Sequence, residues 1–187
     1  MNGIVSNLDE KYPGNYFHPT VIVYENVRIG TGNYFGPYCI IGAPPEWKGH
    51  EGISGIVSIG DNNRLTGLVA VDSGTNAFTC IQNNCYLMKH SYVGHDATLS
   101  NGVTLSCGAK VGGHSIVGSG TTIGLNAVIH QKVSVPGGCM IGANAFVGKK
   151  TELNPYRKYA GVPARDIGSN EDHVSDYIIN QKQFAGE

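Results

Sequence analysis

The pair His95-Asp96 has the residue types of a general base and its partner. A histidine titrates near neutral pH, and a neighbouring carboxylate can hold its tautomer so that the other ring nitrogen accepts a proton. Two further histidines, His114 and His130, follow in the same part of the chain. Acid–base chemistry on this segment requires a fold that brings these side chains together.

A six-residue repeat indicates which fold that is. Every sixth residue from Ile81 to Val147 is Ile, Leu or Val, twelve times without exception. The residue four positions after each is mostly small, and the residue directly after is often Gly. An earlier block, from Val23 to Val71, keeps the same spacing. Neither the 3.6-residue period of a helix nor the alternation of a strand generates this pattern, which is typical of hexapeptide repeats.

Hexapeptide repeats predict an all-β fold, a left-handed parallel β-helix of about seven coils from Val21 to Val147 and slightly beyond. Each unit is a short strand and a corner, and three units complete one 18-residue coil. Residues 1–165 are predicted to form this single domain. Residues 166–187 are predicted to form a short helical C-terminal tail, capped by Ser169 or Asn170. Asparagines at corners are expected to supply backbone freedom: Asn33, Asn62, Asn101, Asn126 and Asn144.

Two segments interrupt the repeat. Residues 43–56 contain two prolines and the single tryptophan, yet Ile59 follows Ile41 by the length of one coil, so we expect one bulged coil in this region. Four extra residues between Val71 and Ile81 predict a short projecting loop. Loops on a rigid scaffold often carry function.

Folding the sequence on an 18-residue coil brings the histidines to one corner. His95 then stacks under Gly113, and Gly113 under Gln131 and Lys149, at about 5 Å per layer. His114 adjoins Gly113, and His130 adjoins Gln131. We therefore predict that His95 is a general base oriented by Asp96, and that the Gly113 amide stabilises an oxyanion.

Composition limits the remaining possibilities. A net charge of −1 gives no basic field for nucleic acid or a membrane surface. The five cysteines have no zinc-ligand spacing, which favours small buried thiols in a reducing compartment. The N-terminal stretch lacks the pattern of a signal peptide, and no apolar run reaches the roughly 18 residues of a membrane span. We expect a cytoplasmic protein.

Several stretches resemble the UDP-N-acetylglucosamine O-acyltransferases of the lipid A pathway. They are "HPTVIVYENVRIGTGNYFGPYCIIG", "VSIGDNNRLTGLVAVDSGT", "LMKHSYVGHDATL", "VGGHSIVG" and "AVIHQKVSVPGGCMIGANAFVG". The resemblance covers roughly residues 17–165, and the spacing of His95, His114 and His130 is its most specific part. It implies acyl transfer from a thioester to a sugar, with His95 as base, Asp96 as its partner and the Gly113 amide facing the thioester oxygen.

The resemblance also implies a set of substrate-binding residues: Glu46, Lys48, Asp72, Tyr92, His114, His130 and Gln131. Glu46 and Lys48 match an Asp-x-Lys motif of the family after a one-residue gap. Tyr92 and Asp72 stand where the family has histidines. The family also carries a helical C-terminal domain that helps to bind the nucleotide and the acyl carrier, whereas only a short tail follows the repeat here.

The donor is expected to carry a phosphopantetheine arm. The segment "AGVPAR" is similar to the closing segment of acetyltransferases that use CoA, and it lies in a basic cluster: Lys149, Lys150, Arg157, Lys158 and Arg165. Phosphates of CoA, or the acidic face of an acyl carrier protein (ACP), would suit these side chains. Acyl-ACP or acyl-CoA is then a co-substrate, and no bound cofactor or metal is expected. The resemblance further implies a homotrimer with active sites between subunits.

Three alternatives remain open. An acetyl-CoA-dependent sugar or amino-sugar acetyltransferase shares most of these features. A γ-type carbonic anhydrase shares the fold, and its motif has a second histidine five positions after the histidine of a Gly-His pair. Here the pair is Gly94-His95, and Ser100 stands at the second position. A non-catalytic β-helix scaffold would make no use of His95.

Overall fold

The structure, a computed structural model, describes residues 3–49 and 55–171. Over these residues the chain forms a coil whose three faces are β-sheets of nine, seven and six strands. Except for the last two strands, which pair with each other, consecutive strands belong to different sheets and each pairs with a strand of the neighbouring coil. This is the predicted left-handed parallel β-helix of about seven coils, although its first strand begins at Tyr16, earlier than expected.

The strands are short, and each regular coil contributes one strand to each sheet. The first sheet contains β1 (Tyr16–Phe17), β4 (Tyr34–Phe35), β7 (Arg64–Leu65), β10 (Tyr86–Leu87), β13 (Thr104–Leu105), β16 (Thr122–Ile123), β19 (Met140–Ile141), β21 (Arg157–Ala160) and β22 (Arg165–Ser169). The second contains β2 (Ile22–Val23), β5 (Ile40–Ala43), β8 (Ala70–Asp72), β11 (Tyr92–Val93), β14 (Lys110–Val111), β17 (Val128–Ile129) and β20 (Phe146–Val147). The third contains β3 (Val27–Ile29), β6 (Val57–Ile59), β9 (Thr79–Ile81), β12 (Thr98–Leu99), β15 (Ile116–Val117) and β18 (Ser134–Val135). One helical turn, α1 (Leu8–Lys11), precedes the coil.

The repeat residues form the core inside the coil. All twelve aliphatic positions from Ile81 to Val147 are at most 1% exposed, and the small residues four positions later are also buried. Equivalent residues stack directly, as Val93 pairs with Val111 and Val111 with Ile129. Each buried aliphatic side chain contributes about 1.5–3 kcal/mol. The stacked core therefore holds the backbone at the corners rigid, and with it the side chains that the corners carry.

The corner asparagines divide into two kinds. Asn62, Asn126 and Asn144 adopt the left-handed conformation, as predicted. At the other two predicted corners that conformation belongs to Gly32 and Gly102 instead. Asn33 is buried there, and its side chain accepts the amide of Asn63 and donates to the carbonyl of Gly60. The prediction was wrong for Asn33 and Asn101 because the adjacent glycine adopts a positive φ more easily.

The first interruption is an insertion rather than a bulged coil. Strand partners in the regular coil differ by 18 in residue number, as Val93 and Val111 do, whereas the partners Ile29 and Ile59 differ by 30. Twelve residues are therefore added between β5 and β6. Twelve is two repeat units, so the phase of the aliphatic pattern survives. The expectation of one bulged coil between Ile41 and Ile59 was wrong, since Ile41 pairs with Val71.

The second interruption is the predicted short loop. The partners Ile59 and Ile81 differ by 22 in residue number instead of 18, so four residues are added between β8 and β9. Both insertions leave the coil at the same corner, between the second and third sheets. They are consequently adjacent to each other and to the turns that follow along that edge.

The coil extends beyond the last repeat. After Gly148 the chain returns to the first sheet as β21, where Tyr159 stacks on Ile141 and is 1% exposed. Strand β22 then folds back antiparallel to β21 and crosses the predicted boundary at residue 165. Residues 166–169 of the predicted helical tail are therefore strand, because they complete the edge of the first sheet. Residues 172–187 of the predicted tail lie outside the described residues.

None of the helices in the described ranges is long and apolar enough to cross a membrane.

Candidate functional site

The three histidines lie at one corner of the coil, as predicted. His95 follows β11, His114 follows β14 and His130 follows β17, and these three strands are hydrogen-bonded neighbours in unbroken register. We call this edge, between the second and third sheets, the histidine corner. Asp96 and His114 both adopt φ of 58° there, a conformation that Asp and His tolerate better than most residues.

His95 and Asp96 form the predicted pair. The His95 Nδ1 lies 2.8 Å from the Asp96 Oδ2, and the Asp96 side chain is fully buried while that of His95 is 12% exposed. The sequence expectation of a histidine beside an orienting carboxylate thus holds in the geometry.

The second insertion surrounds the Asp96 carboxylate with donors. The amides of Thr75, Asn76 and Ala77 donate to Oδ1 at 2.9, 3.1 and 2.7 Å. The Thr75 hydroxyl donates to Oδ2 at 2.5 Å. The Asp96 amide in turn donates to the Thr79 hydroxyl at 2.8 Å. Every oxygen of this carboxylate is therefore held.

These contacts keep Asp96 ionised. Burial alone would raise the pKa of Asp96, but hydrogen bonds from the Thr75 hydroxyl, from His95 and from the Ala77 and Thr75 amides outweigh it and hold the pKa far below its usual range. A charged carboxylate can only accept, so the Nδ1 of His95 must carry a proton. The Nε2 of neutral His95 is then unprotonated and free to accept a proton.

Gly113 lies against that free nitrogen. A Cβ at Gly113 would be 2.7 Å from the His95 Nε2, so any side chain would occupy the space in front of the base. Within the described part of the chain the Gly113 amide donates no hydrogen bond. A vacant donor beside the base is what oxyanion stabilisation requires.

His114 contacts the pair from the next coil. Its Nε2 lies 3.6 Å from the Asp96 Oδ2, and its ring meets the His95 ring edge-on with centroids 4.9 Å apart. The His114 side chain is 32% exposed, so it faces the open side of the corner.

Metal binding is the other chemistry that these residues could perform. Among the described residues, His95, Asp96 and His114 are the one group whose ligand atoms lie close enough, within 4.8 Å, to hold an ion. However, Asp96 already accepts four hydrogen bonds from residues 75–77 besides facing His95. A carboxylate so occupied has little capacity left for a metal, and the donor set fits an oriented base better.

Asp72 and Tyr92, two of the predicted substrate-binding residues, are hydrogen-bonded to each other. The Tyr92 hydroxyl donates to the Asp72 Oδ2, and the Glu46 amide donates to the same oxygen at 3.1 Å. Burial is the main reason that the pKa values of Asp72 and Tyr92 are both raised. Asp72 thereby anchors the first insertion to the coil.

The anchored insertion brings Trp47 over the site. The Trp47 ring lies 6.5 Å from the His95 ring, centroid to centroid, and half of Trp47 is exposed. The exposed Glu46 and Lys48 flank it. These two predicted substrate contacts are therefore close in sequence to a residue beside the base.

The predicted donor residues fall into two groups. Lys149, Lys150 and Arg165 line a groove of about 900 Å³ together with His130 and Phe146. We call this the basic groove. Gln131 lies exposed beside His130, whose Nδ1 faces the Gln131 carbonyl at 3.0 Å.

The other two basic residues, Arg157 and Lys158, do not line the groove. Arg157 is engaged by Asp166 through two hydrogen bonds of 2.7 and 2.8 Å. Lys158 is exposed on the first sheet, opposite Met140. Clustering in sequence did not predict this separation, because it depends on how β21 and β22 fold against the last coil.

Trp47, Thr75 and Phe146 were missed by the sequence reasoning. Two of them lie in the insertions, whose presence the broken repeat did reveal. The direction in which each insertion folds is not encoded in the repeat, so the pattern marks the loops but not their contacts.

A hexapeptide β-helix with a buried histidine–carboxylate pair at one corner is the class of protein that this fold and site define. No protein-family model matches the sequence. The acyl-[acyl-carrier-protein]–UDP-N-acetylglucosamine O-acyltransferase of Caulobacter vibrioides is 33% identical over 97 residues, which are 50% of this chain and 37% of that protein. The crystal structure of a UDP-N-acetylglucosamine acyltransferase from Bacteroides fragilis matches with a TM-score of 0.83 and 28% identity, over 88% of this chain and 64% of that chain.

The predicted resemblance to UDP-N-acetylglucosamine O-acyltransferases is therefore confirmed. The chain spans well under half of the length of the curated relatives that it matches. The acetyltransferase domain of PglB from Neisseria gonorrhoeae shares the fold at 19% identity and a TM-score of 0.55, over 79% of this chain and 57% of that chain. Consequently, the fold by itself does not separate the two classes of acyl donor.

Proposed function

We propose that this protein transfers an acyl group from a thioester to a hydroxyl or amine of a sugar, with UDP-N-acetylglucosamine as the first acceptor to test. The observation that carries the proposal is the buried His95–Asp96 pair with Gly113 against the free ring nitrogen. The similarity to UDP-N-acetylglucosamine O-acyltransferases supports it.

The reaction follows from the protonation states. The Nε2 of His95 removes the proton of the acceptor as the acceptor oxygen or nitrogen attacks the thioester carbonyl. The negative charge that forms on the carbonyl oxygen is stabilised by the Gly113 amide. When the carbon–sulfur bond breaks, the thiolate recovers the proton from the His95 imidazolium, and the acylated sugar and a free thiol leave.

Asp96 supports both proton transfers. It fixes the tautomer before the attack and stabilises the imidazolium after it. A positioned base contributes about 10²–10⁴-fold to such a reaction, since a sugar hydroxyl is a weak nucleophile at neutral pH.

The basic groove is the proposed site for the donor arm. Lys149, Lys150 and Arg165 would meet the phosphates of CoA or the acidic surface of an acyl carrier protein. Phe146 and His130 line the same groove and would contact the apolar part of the arm. On the opposite side of the base, Trp47 and Lys48 would contact the acceptor.

We further propose a homotrimer in which a neighbouring coil completes each site. The exposure of His114 and Trp47 beside the base is consistent with a wall supplied by another subunit. Analytical ultracentrifugation tests this directly, and a stable monomer at micromolar concentration would contradict it.

The test of the function is a screen for thiol release. Purified protein is offered nucleotide sugars together with short and long acyl-CoA and acyl-ACP donors, and the free thiol is followed with a chromogenic reagent. We expect release that depends on both substrates. Short acyl-CoA as the best donor would identify the acetyltransferase alternative, and no release with any pair would overturn the proposal.

A further inference from the structure

We propose that the second insertion, residues 73–78, is a positioning device for the base, and that its Thr75 hydroxyl sets the orientation of His95 through Asp96. This inference rests on the proposed function only for its effect on turnover. Nothing in the six-residue repeat requires the loop, because the turns after β11, β14 and β17 make the same corner without extra residues.

The loop is shaped to bind one carboxylate. Its three successive amides, from Thr75 to Ala77, converge on the Oδ1 of Asp96 at 2.7–3.1 Å. Gly74 starts this turn, and a Cβ there would lie 1.8 Å from the Ala77 carbonyl oxygen. The loop therefore closes only with glycine at that position, and its closure aims the amides at the layer that holds the base.

The Thr75 side chain acts on the other oxygen. Its hydroxyl donates to Oδ2, the atom that also faces the Nδ1 of His95. With Oδ1 fixed by three amides and Oδ2 by Thr75, the carboxylate plane cannot rotate. The remaining lone pair of Oδ2 is thereby directed at His95.

The consequence is a defined tautomer. If Thr75 were absent, Oδ2 could turn towards the Nε2 of His114, which lies 3.6 Å away, and the bond to His95 would weaken. His95 would then populate the tautomer with its proton on Nε2, which cannot act as the base. Thr75 is a positioning residue in this scheme, since it contacts neither substrate.

The kinetic experiment compares Thr75→Val, which removes the hydroxyl at nearly constant volume, with Thr75→Ser, which keeps it. Thr75→Val should lower kcat by about 10- to 100-fold, the effect of one hydrogen bond to a charged group, and leave both KM values within about twofold. Thr75→Ser should restore kcat to within about threefold of wild type. Thr104→Val, the same change on the first sheet away from this corner, is the matched control and should leave kcat unchanged.

A double mutant separates positioning from general damage. Once Asp96→Asn has removed the charge that Thr75 orients, adding Thr75→Val should reduce kcat no further. Independent, multiplicative losses would contradict the proposal. Melting temperatures of all variants establish that each is folded.

A second readout needs no substrate. Nitrogen-15 NMR of the imidazole at mildly alkaline pH reports which nitrogen of His95 holds the proton. We expect the Nδ1-protonated form in wild type and Thr75→Ser, and a mixture in Thr75→Val. A mixture in Thr75→Val would support the positioning role even if no acyl transfer were found, in which case only the proposed function fails. An unchanged tautomer in Thr75→Val would overturn this inference, whether or not the protein transfers acyl groups.

Discussion

The Tyr92 hydroxyl donates a hydrogen bond to the carboxylate of Asp72, and both residues belong to the substrate-binding set predicted from the sequence. The same Asp72 oxygen accepts the Glu46 amide of the first insertion. The pair thus joins the coil to the loop that carries Trp47. Asp72 and Tyr92 are in this way a single structural unit.

Tyr92→Phe should destabilise the protein by about 1–3 kcal/mol, because Asp72 is buried and would lose a donor. Urea unfolding measures the loss. Tyr86→Phe is the matched control, since Tyr86 is exposed on the first sheet and should tolerate the change. The acceptor KM should also rise in Tyr92→Phe while the donor KM does not, because Trp47 loses its anchor. Equal stability of Tyr92→Phe and Tyr86→Phe would show that the Tyr92–Asp72 hydrogen bond does not stabilise the folded protein.

The pH dependence of stability should reveal Asp96. Its pKa is lowered in the folded state, so its contribution is fully present above the unfolded value near 3.8 and is lost as pH falls through the folded pKa. Asp96→Asn should therefore be less stable than wild type at pH 6–7, and the difference should shrink below about pH 4. Urea unfolding across this range measures it. A difference that stays constant down to pH 3 would contradict the ionised, hydrogen-bonded state assigned to Asp96.

Gly113→Ala should lower activity by about 100-fold or more with little loss of folding. The added Cβ would lie 2.7 Å from the His95 Nε2 and obstruct the approach of the acceptor. The backbone amide of residue 113 would remain as a hydrogen-bond donor. A loss of activity would therefore show that the space in front of the His95 Nε2 is needed. Thiol release and the melting temperature are the two measurements. A fully active Gly113→Ala protein would mean that the acceptor approaches His95 from elsewhere.

Charge reversal should distinguish the basic groove from the rest of the basic cluster. Lys149→Glu with Lys150→Glu should raise the donor KM about tenfold or more with little change in kcat, because these side chains line the groove. Lys158→Glu should change neither constant, since that residue does not line the groove. If Lys158→Glu raised the donor KM as much as the double variant, the donor would not bind in the groove.

The repeat predicted the coil because its aliphatic residues have one role throughout. The twelve aliphatic repeat residues from Ile81 to Val147 all face inward. The 18-residue coil then predicts that His95, Gly113 and His114 lie together. The pattern could not reveal that the chain between β5 and β6 leaves the coil. An insertion of two repeat units preserves the phase, so Ile59 matched the position expected after Ile41.

The side-chain contacts between the insertions and the coil could also not be predicted from the sequence. The position of Thr75 in a projecting loop was predictable, but its bond to Asp96 depends on the loop folding towards the next coil. Likewise, the spacing of Lys149 and Lys158 gave no sign that Lys149 lines the basic groove while Lys158 lies on the first sheet, outside the groove. Both depend on tertiary geometry, which a six-residue period does not specify.

The most direct test of the proposed base compares His95→Ala with His90→Ala in the thiol-release assay, using the best substrate pair of the wild-type protein. His90 is exposed at a different corner of the coil and is the matched histidine control. We predict that His95→Ala lowers turnover by about 100-fold or more in a protein that still unfolds cooperatively, while His90→Ala keeps wild-type turnover. Equal turnover in His95→Ala and wild type would contradict the assignment of His95 as the base.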